Sequence, residues 1–498
     1  MTIFHYGKDI LSVDLAMKIL SGELKAEIAD DTKKKINACR DIVEEIAASD
    51  KAIYGINTGF GPLCDTQISP EETSVLQHNL LLSHAVGVGL PIKKSLSKLM
   101  LICKVHALCK AYSGIRLKVI ERLIYFIDHD LIPVVPEQGS VGASGDLAPL
   151  SHLFLPLLAY GEFWDEDQAV DAKEALDKHD LQALSLSSKE GLALINGTQF
   201  ILAHAIMGLD HMKYLLDLAD LASAMSIEGF QGSASPFDEK LHEVRPFKGS
   251  QLVAERMRSF LSDSENLQAH FDCDRVQDPY SLRCTPQVHG ASRNAYNHLL
   301  ELAEIEMNSV TDNPIVFTKK DIISGGNFHG QPLAMALDYC ALAASEIGNI
   351  SDRRSYLLLE GKYGLPRLLT KSGGLDSGFM IPQYTSAALV TENKTLCYPA
   401  SADSIPTSLG QEDHVSMGSI SGRKFNLVLV NLNKILAIEL MYAAQAMDFR
   451  RPNRFSDKLE MNHKIIREHV AHLDEDRLLK KDMDIIIGLV RNRALIVN

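Results

Sequence analysis

"FNLVLVNLNKILAIELMYAAQAM", residues 425–447, decides the fold class. The stretch holds only two charges, Lys434 and Glu439, and no glycine or proline. It is far longer than an ordinary strand, and apolar side chains fall on every side of a 3.6-residue repeat. That pattern predicts a helix hidden all round, deep in a core or between subunits. Working outward, Leu333, Leu337, Cys340, Ala344 and Ile347 recur at spacings of four and three, a seam suited to a helix bundle. Leu117, Ile120, Leu123, Ile124 and Ile127 mark one face of a helix that ends before Pro133. Strand signals are short, at "IFHY" (3–6) and "AIYGI" (52–56). The expectation is a mainly α protein. Residues 1–200 would form a smaller N-terminal domain with the glycine-rich loops, and residues 201–498 a long helical bundle.

The 498 residues carry 50 Lys and Arg against 64 Asp and Glu, so no basic face invites nucleic acid. The start, "MTIFHYGKDI", has no apolar core of a secretory signal, and no uncharged apolar run reaches bilayer length. Eight cysteines (39, 64, 103, 109, 273, 284, 340, 397) make no CxxC pair and read as reduced thiols of a cytoplasmic protein. Neither HExxH nor clustered Cys/His spacing occurs, so no metal site is expected. No membrane or nucleic-acid partner is expected either.

The chemistry concentrates in "QGSVGASGDLAPLSH", residues 138–152. Ser144 fails as a nucleophile elbow, because GxSxG needs glycine where Asp146 stands. It fails as a phosphate loop, because no lysine follows Gly145. The ordinary alternative is a small-residue turn in which Asp146 caps a helix starting near Leu147, with Pro149 in its first turn. A third chemistry suits Ala143-Ser144-Gly145. The Gly145 nitrogen closes a five-membered ring on the Ala143 carbonyl, and dehydration turns Ser144 into a methylidene. Gly145 has no Cβ to obstruct the approach, Ala143 is small, Ser144 supplies the leaving hydroxyl, and Asp146 is placed to help move protons. The product, 4-methylidene-imidazol-5-one (MIO), is an electrophile that no ordinary side chain offers, and it needs no external cofactor.

Further segments support this reading: "YGINTGFG" (54–61), "LLSHAVGVG" (81–89), "EGLALINGTQ" (190–199), "QDPYSLRCTPQ" (277–287), "DNPIVF" (312–317), "GGNFHG" (325–330) and "DSIPTSLGQEDHVSMG" (403–418). With "GASGD", they resemble the MIO-dependent aromatic amino-acid ammonia-lyases along most of the chain. The resemblance implies a mostly helical homotetramer whose active sites draw on more than one subunit. It also assigns roles against plainer readings. Tyr54, otherwise a half-buried packing residue, would face the ring as an acid or base. Asn196, otherwise a turn former in "LINGT", would lie beside the ring and the substrate's amino-acid end. Gln277, Tyr280 and Arg283 fall at i, i+3 and i+6, a near-helical spacing. Arg283 would bind the substrate carboxylate through its planar fork, with Gln277 nearby. Tyr280 and Glu412 are both candidates for the base that takes the β-proton. Phe328 would pack near the ring rather than serve only as a core phenylalanine.

Two positions bear on the substrate. Next to Ser83, His84 can hydrogen-bond an imidazole, although some tyrosine-specific relatives also carry Ser-His there. Glu412, in "GQEDHVSMG", sits where phenylalanine and tyrosine lyases look to have glutamine. A carboxylate would orient an imidazole and favour its charged form, but would be stranded against a phenyl ring at several kcal/mol. The expected activity is therefore release of ammonia from L-histidine to give trans-urocanate. The alternatives are a tyrosine lyase or aminomutase of the same family, and a catalytically dead scaffold. Thr285, His289, Gly330 and Gln331 depart from the pattern expected beside the site, which bears on fine specificity and rate.

Overall fold

The computed structural model describes residues 3–49, 53–59, 61, 68–69, 72–269 and 275–497. Cys64 and Cys273 lie outside these residues. Helices dominate, and four of them are long: Gln199–Phe230, Thr285–Met307, Gln331–Leu359 and Gly418–Asp448. The mainly α expectation holds. All five seam residues of Gln331–Leu359 are buried.

Gly418–Asp448 contains the 425–447 stretch. Its first turns expose Leu427 and Val430, whereas Ile435 to Met447 is buried on every side. It is long and apolar enough to cross a bilayer, yet 83% of its most apolar window is buried inside the fold, as befits a core helix. Glu439 survives there because it is fully paired. Arg354 Nε and Nη2 donate to its two carboxylate oxygens at 2.5 and 2.9 Å, and Ser226 Oγ donates to Oε1 at 2.8 Å. Both charged groups are buried, so either one alone would be an uncompensated charge. Close helix approach is secured at Gly229, where an added Cβ would fall 2.6 Å from that of Ala446.

Two compact units can be distinguished. One comprises residues 1–210, 299–337 and 399–423; the other comprises 211–298, 338–398 and 424–498. In the first, helices such as Val13–Ser21, Lys94–Leu108, Leu117–Asp128 and Leu147–Phe154 accompany several small sheets. Strand Val88–Pro91 pairs antiparallel with Pro136–Gln138, which leads straight into the glycine-rich loop. That loop is thus held between a strand and the helix Leu147–Phe154. "IFHY" contributes a short strand, Phe4–His5, paired parallel with Ala26–Glu27. "AIYGI" does not form a strand: Ala52 lies outside the described residues, and Tyr54–Ile56 is a turn. Local polar groups capture that backbone, since Ile53 N donates to Asn57 Oδ1 at 2.8 Å and Ile56 N to Ile53 O at 3.1 Å. Side-chain acceptors of this kind compete with strand pairing. The six described cysteines are all free thiols.

Candidate active site

The glycine-rich loop turns through left-handed backbone at Gly142, Ser144 and Gly145 (φ 83°, 48° and 79°). Only Ser144 carries a side chain there, a conformation that costs on the order of 1–2 kcal/mol and concentrates at functional sites. Gly145 forms a parallel bridge with Gly197. A Cβ on Gly145 would lie 2.1 Å from the Gly197 carbonyl oxygen and 2.5 Å from its carbon. Alanine at 145 must therefore displace backbone. We expect Gly145→Ala to lower stability by at least about 2 kcal/mol, read as a reduced urea midpoint. An unchanged midpoint would show that the loop has slack.

Asp146 takes the N-cap position of helix Leu147–Phe154 but makes no side-chain cap bond to it. Its carboxylate reaches elsewhere. Oδ2 accepts from the N–H groups of Phe200 and Ile201 at 3.0 Å each, in the first turn of Gln199–Phe230, and Oδ1 accepts from Ser140 Oγ at 3.0 Å. The expected cap is thus a cap on a different helix. Burial pushes this carboxyl up to about 7, against those three donors, which favour the anion. Asp146 N donates to Gly197 O at 2.7 Å, so the residue ties the loop to residues 197–201, by its backbone at Gly197 and by its side chain at Phe200 and Ile201.

Around Ser144 the structure gathers groups from distant parts of the first unit. The Ser144 hydroxyl donates to Glu412 Oε1 at 2.7 Å. Asn196 Nδ2 donates to the Ser144 carbonyl oxygen at 2.9 Å, and Gly197 N approaches the same oxygen at 3.4 Å. Ser144, Glu412, His84 and Tyr54 line one cavity of about 420 Å³, with Asn79, Ser83 and Ser408 among its other walls. Tyr54 sits in its turn with the hydroxyl 3.4 Å from Gly61 N. Ser83 Oγ lies 3.0 Å from His84 Nδ1. Burial holds the His84 imidazole below its ordinary value, while the Leu80 carbonyl and the Glu412 carboxylate pull it back up.

Glu412 is itself fastened. Ser408 Oγ donates to its Oε2 at 2.5 Å and Thr407 Oγ1 at 3.3 Å, and Thr407 N donates to its backbone carbonyl at 2.9 Å. Sequence reasoning passed over Thr407 and Ser408; the run of small hydroxyl residues in "PTSLGQED" was the available signal. The 404–419 loop is stitched to the glycine-rich loop, with Met417 N donating to Val141 O at 2.9 Å and Ser419 Oγ to Ser140 O at 2.5 Å.

The remaining expected residues are placed differently. Phe328 is half-buried in a turn and is not among the residues lining the cavity. Gln277, Tyr280 and Arg283 belong to the second unit. The helix there is only Tyr280–Arg283, so Gln277 precedes it and the near-helical spacing does not put all three on one helix. Tyr280 is 71% exposed, with the Arg283 guanidinium 4.5 Å from the centre of its ring. Arg283 Nε donates to Asp278 O at 3.0 Å, and Gln277 and Arg283 line a cavity of about 530 Å³. Of the departures, Thr285 and His289 are buried and serve internal bonds: Thr285 Oγ1 with Ser223 Oγ at 2.9 Å, His289 Nδ1 with Asp220 Oδ1 at 2.7 Å. Gly330 is packed against Ile201 and Ser416 in the first unit. Gln331, whose N donates to His329 Nδ1 at 3.3 Å, opens helix Gln331–Leu359.

A family model described as "Aromatic amino acid lyase" matches residues 11–468. A histidine ammonia-lyase of Myxococcus xanthus is 44% identical over 98% of this chain and 96% of its own length. Among solved structures, a histidine ammonia-lyase from Trypanosoma cruzi superposes with a TM-score of 0.91 at 41% identity, covering 99% of this chain and 94% of that one. A tyrosine aminomutase from Streptomyces globisporus superposes at 0.93 with 32% identity over 99% of this chain and 97% of that one. The MIO-lyase fold therefore accommodates more than one reaction and side chain.

Proposed function

The chain belongs to the aromatic amino acid lyase family and is an ammonia-lyase, and from that premise we propose that it converts L-histidine to trans-urocanate and ammonia. The observation that carries the substrate is Glu412, which lines the same cavity as His84 and the Ser144 hydroxyl. A carboxylate and an imidazole on the walls suit a ring with a donor and an acceptor; a phenyl ring would leave both unsatisfied.

The residues present fit an MIO group at Ala143-Ser144-Gly145. Ser144 already holds the left-handed turn, Gly145 lies where no Cβ fits, and the Ser144 side chain faces the cavity. When formed, the group would supply an electron-poor methylidene, the electrophile that draws ammonia away. Asn196 and Gly197 aim two N–H donors at the Ser144 carbonyl oxygen, the arrangement that stabilises charge developing on an oxygen. Tyr54 handles protons on the amino side. His84 and Glu412 hold the imidazole, and Glu412 or Tyr280 removes the β-proton. Arg283 anchors the carboxylate by a bidentate contact, with Gln277 beside it and Phe328 as apolar packing. Sites completed by assembly into a homotetramer would bring these groups together, in the cytoplasm.

Incubating the chain with L-histidine and following near-ultraviolet absorbance is expected to show urocanate. Coumarate from L-tyrosine in its place would identify a tyrosine lyase, a β-amino acid an aminomutase. No turnover with either substrate would favour a scaffold.

A further inference from the structure

Lys104 lies in helix Lys94–Leu108 and is buried, an unusual station for an ammonium. Among the described residues no carboxylate is within ion-pair distance of it. The neighbouring Asp312 is taken by the equally buried Lys189, Nζ to Oδ2 at 2.5 Å. Burial brings Lys104 down to about 7; Asp312 and Asp146 pull upward and Lys189 pushes further down. Its hydrogen bond runs to one atom, the carbonyl oxygen of Asn196, at 2.6 Å.

That carbonyl belongs to the peptide on which the candidate ring-forming tripeptide rests. Asn196 ends the helix Glu190–Ile195, and its carboxamide reaches the Ser144 carbonyl at 2.9 Å. The next residue, Gly197, accepts from Asp146 N at 2.7 Å and fills the space that a Gly145 Cβ would need. Three contacts onto residues 144–146 therefore issue from two consecutive residues, Asn196 and Gly197, and Lys104 holds the peptide that joins them. A buried amine without a carboxylate partner is costly, and this one is used to fix a carbonyl.

We propose that Lys104 is a positioning residue for ring formation, clamping the Asn196–Gly197 peptide so that Ala143-Ser144-Gly145 is pressed into its cyclising turn. The inference rests on the MIO reading above. The chemistry it serves is balanced within the chain. A bond forms from Gly145 N to the Ala143 carbonyl carbon, and the first water carries off that carbonyl oxygen with the amide protons of Gly145 and Ser144. The second water carries off the Ser144 hydroxyl with its Cα proton as the double bond forms.

The test is intact mass and near-ultraviolet difference absorbance on purified full-length Lys104→Met, Lys104→Gln and Lys104→Arg, with circular dichroism as the check on folding. The fraction of chains lacking two waters is expected to fall at least about 10-fold in Lys104→Met, to be intermediate in Lys104→Gln, and to be restored in Lys104→Arg, whose guanidinium can still donate to the Asn196 carbonyl. If Lys104→Met is insoluble, the order of the other two decides. Equal dehydration in all the folded variants overturns the role of Lys104 while leaving the ring intact. A parent chain at its full unmodified mass overturns the ring reading itself.

Discussion

Replacing Ser144 by alanine is expected to lower kcat at least about 10³-fold, equivalent to roughly 4 kcal/mol of lost transition-state stabilisation, while the chain stays folded. The two halves of that expectation have separate causes. The side chain is half-buried and makes one hydrogen bond, to Glu412 Oε1 at 2.7 Å, so its loss costs about 1 kcal/mol of stability. Alanine also fits the left-handed turn nearly as well as serine does. The hydroxyl, however, is the only group in the tripeptide that can leave to create a methylidene. Without it no electrophile forms, and the remaining residues are left to expel ammonia while taking a proton that is barely acidic. Positioning by Tyr54, His84 and Asn196 would survive, and with it substrate binding, so KM should change little. Steady-state turnover and intact mass on the same sample check this. A Ser144→Ala chain with undiminished turnover would end the MIO reading.

How far the sequence alone led can be seen at particular residues. The long apolar stretch at 425–447 announced a core helix, because only a helix can hide side chains on all sides over that length. Ser144 and Glu412 are 268 residues apart, yet both stood out: Ser144 for its place in a tripeptide of small residues, and Glu412, through the family resemblance, as a carboxylate where phenylalanine and tyrosine lyases look to have glutamine. What stayed hidden depended on partners that local pattern cannot supply. Asp146 reads as the cap of the helix that follows it, and only the three-dimensional arrangement brings the first turn of Gln199–Phe230 to its carboxylate. Lys104 reads as one polar residue in an apolar helix; its meaning lies in a carbonyl 92 positions later. Tyr54 reads as part of a short strand, "AIYGI", because its neighbours are apolar, but the Asn57 carboxamide captures the backbone first. The compact units each combine three separated segments, which no local signal of linker composition marks.

Glu412→Gln provides the second large effect and separates chemistry from cofactor formation. Glutamine keeps the size of the side chain but has a single acceptor oxygen, whereas Glu412 accepts on both sides: from Ser144 Oγ at 2.7 Å, and from Ser408 and Thr407 at 2.5 and 3.3 Å. Hydroxyls can rotate to accept from the new amide, so the fold should tolerate the change within about 1 kcal/mol. What cannot be replaced is the negative charge. If the carboxylate orients the imidazole or takes the β-proton, kcat for histidine is expected to fall about 10²–10⁴-fold, the range for loss of a general base. The purified chain should nevertheless have shed its two waters, because the tripeptide and its supports at Asn196, Gly197 and Asp146 are untouched. Ser144→Ala and Glu412→Gln would then share a kinetic defect but differ in mass. Activity toward tyrosine separates the two roles: a phenol has no need of the carboxylate as an imidazole partner, so the ratio of histidine to tyrosine turnover should drop if Glu412 orients the ring and hold if Glu412 is the base. Histidine turnover within about 3-fold of the parent would remove Glu412 from both roles. The β-proton would then fall to Tyr280, and the choice of histidine as substrate would have to rest on His84 alone.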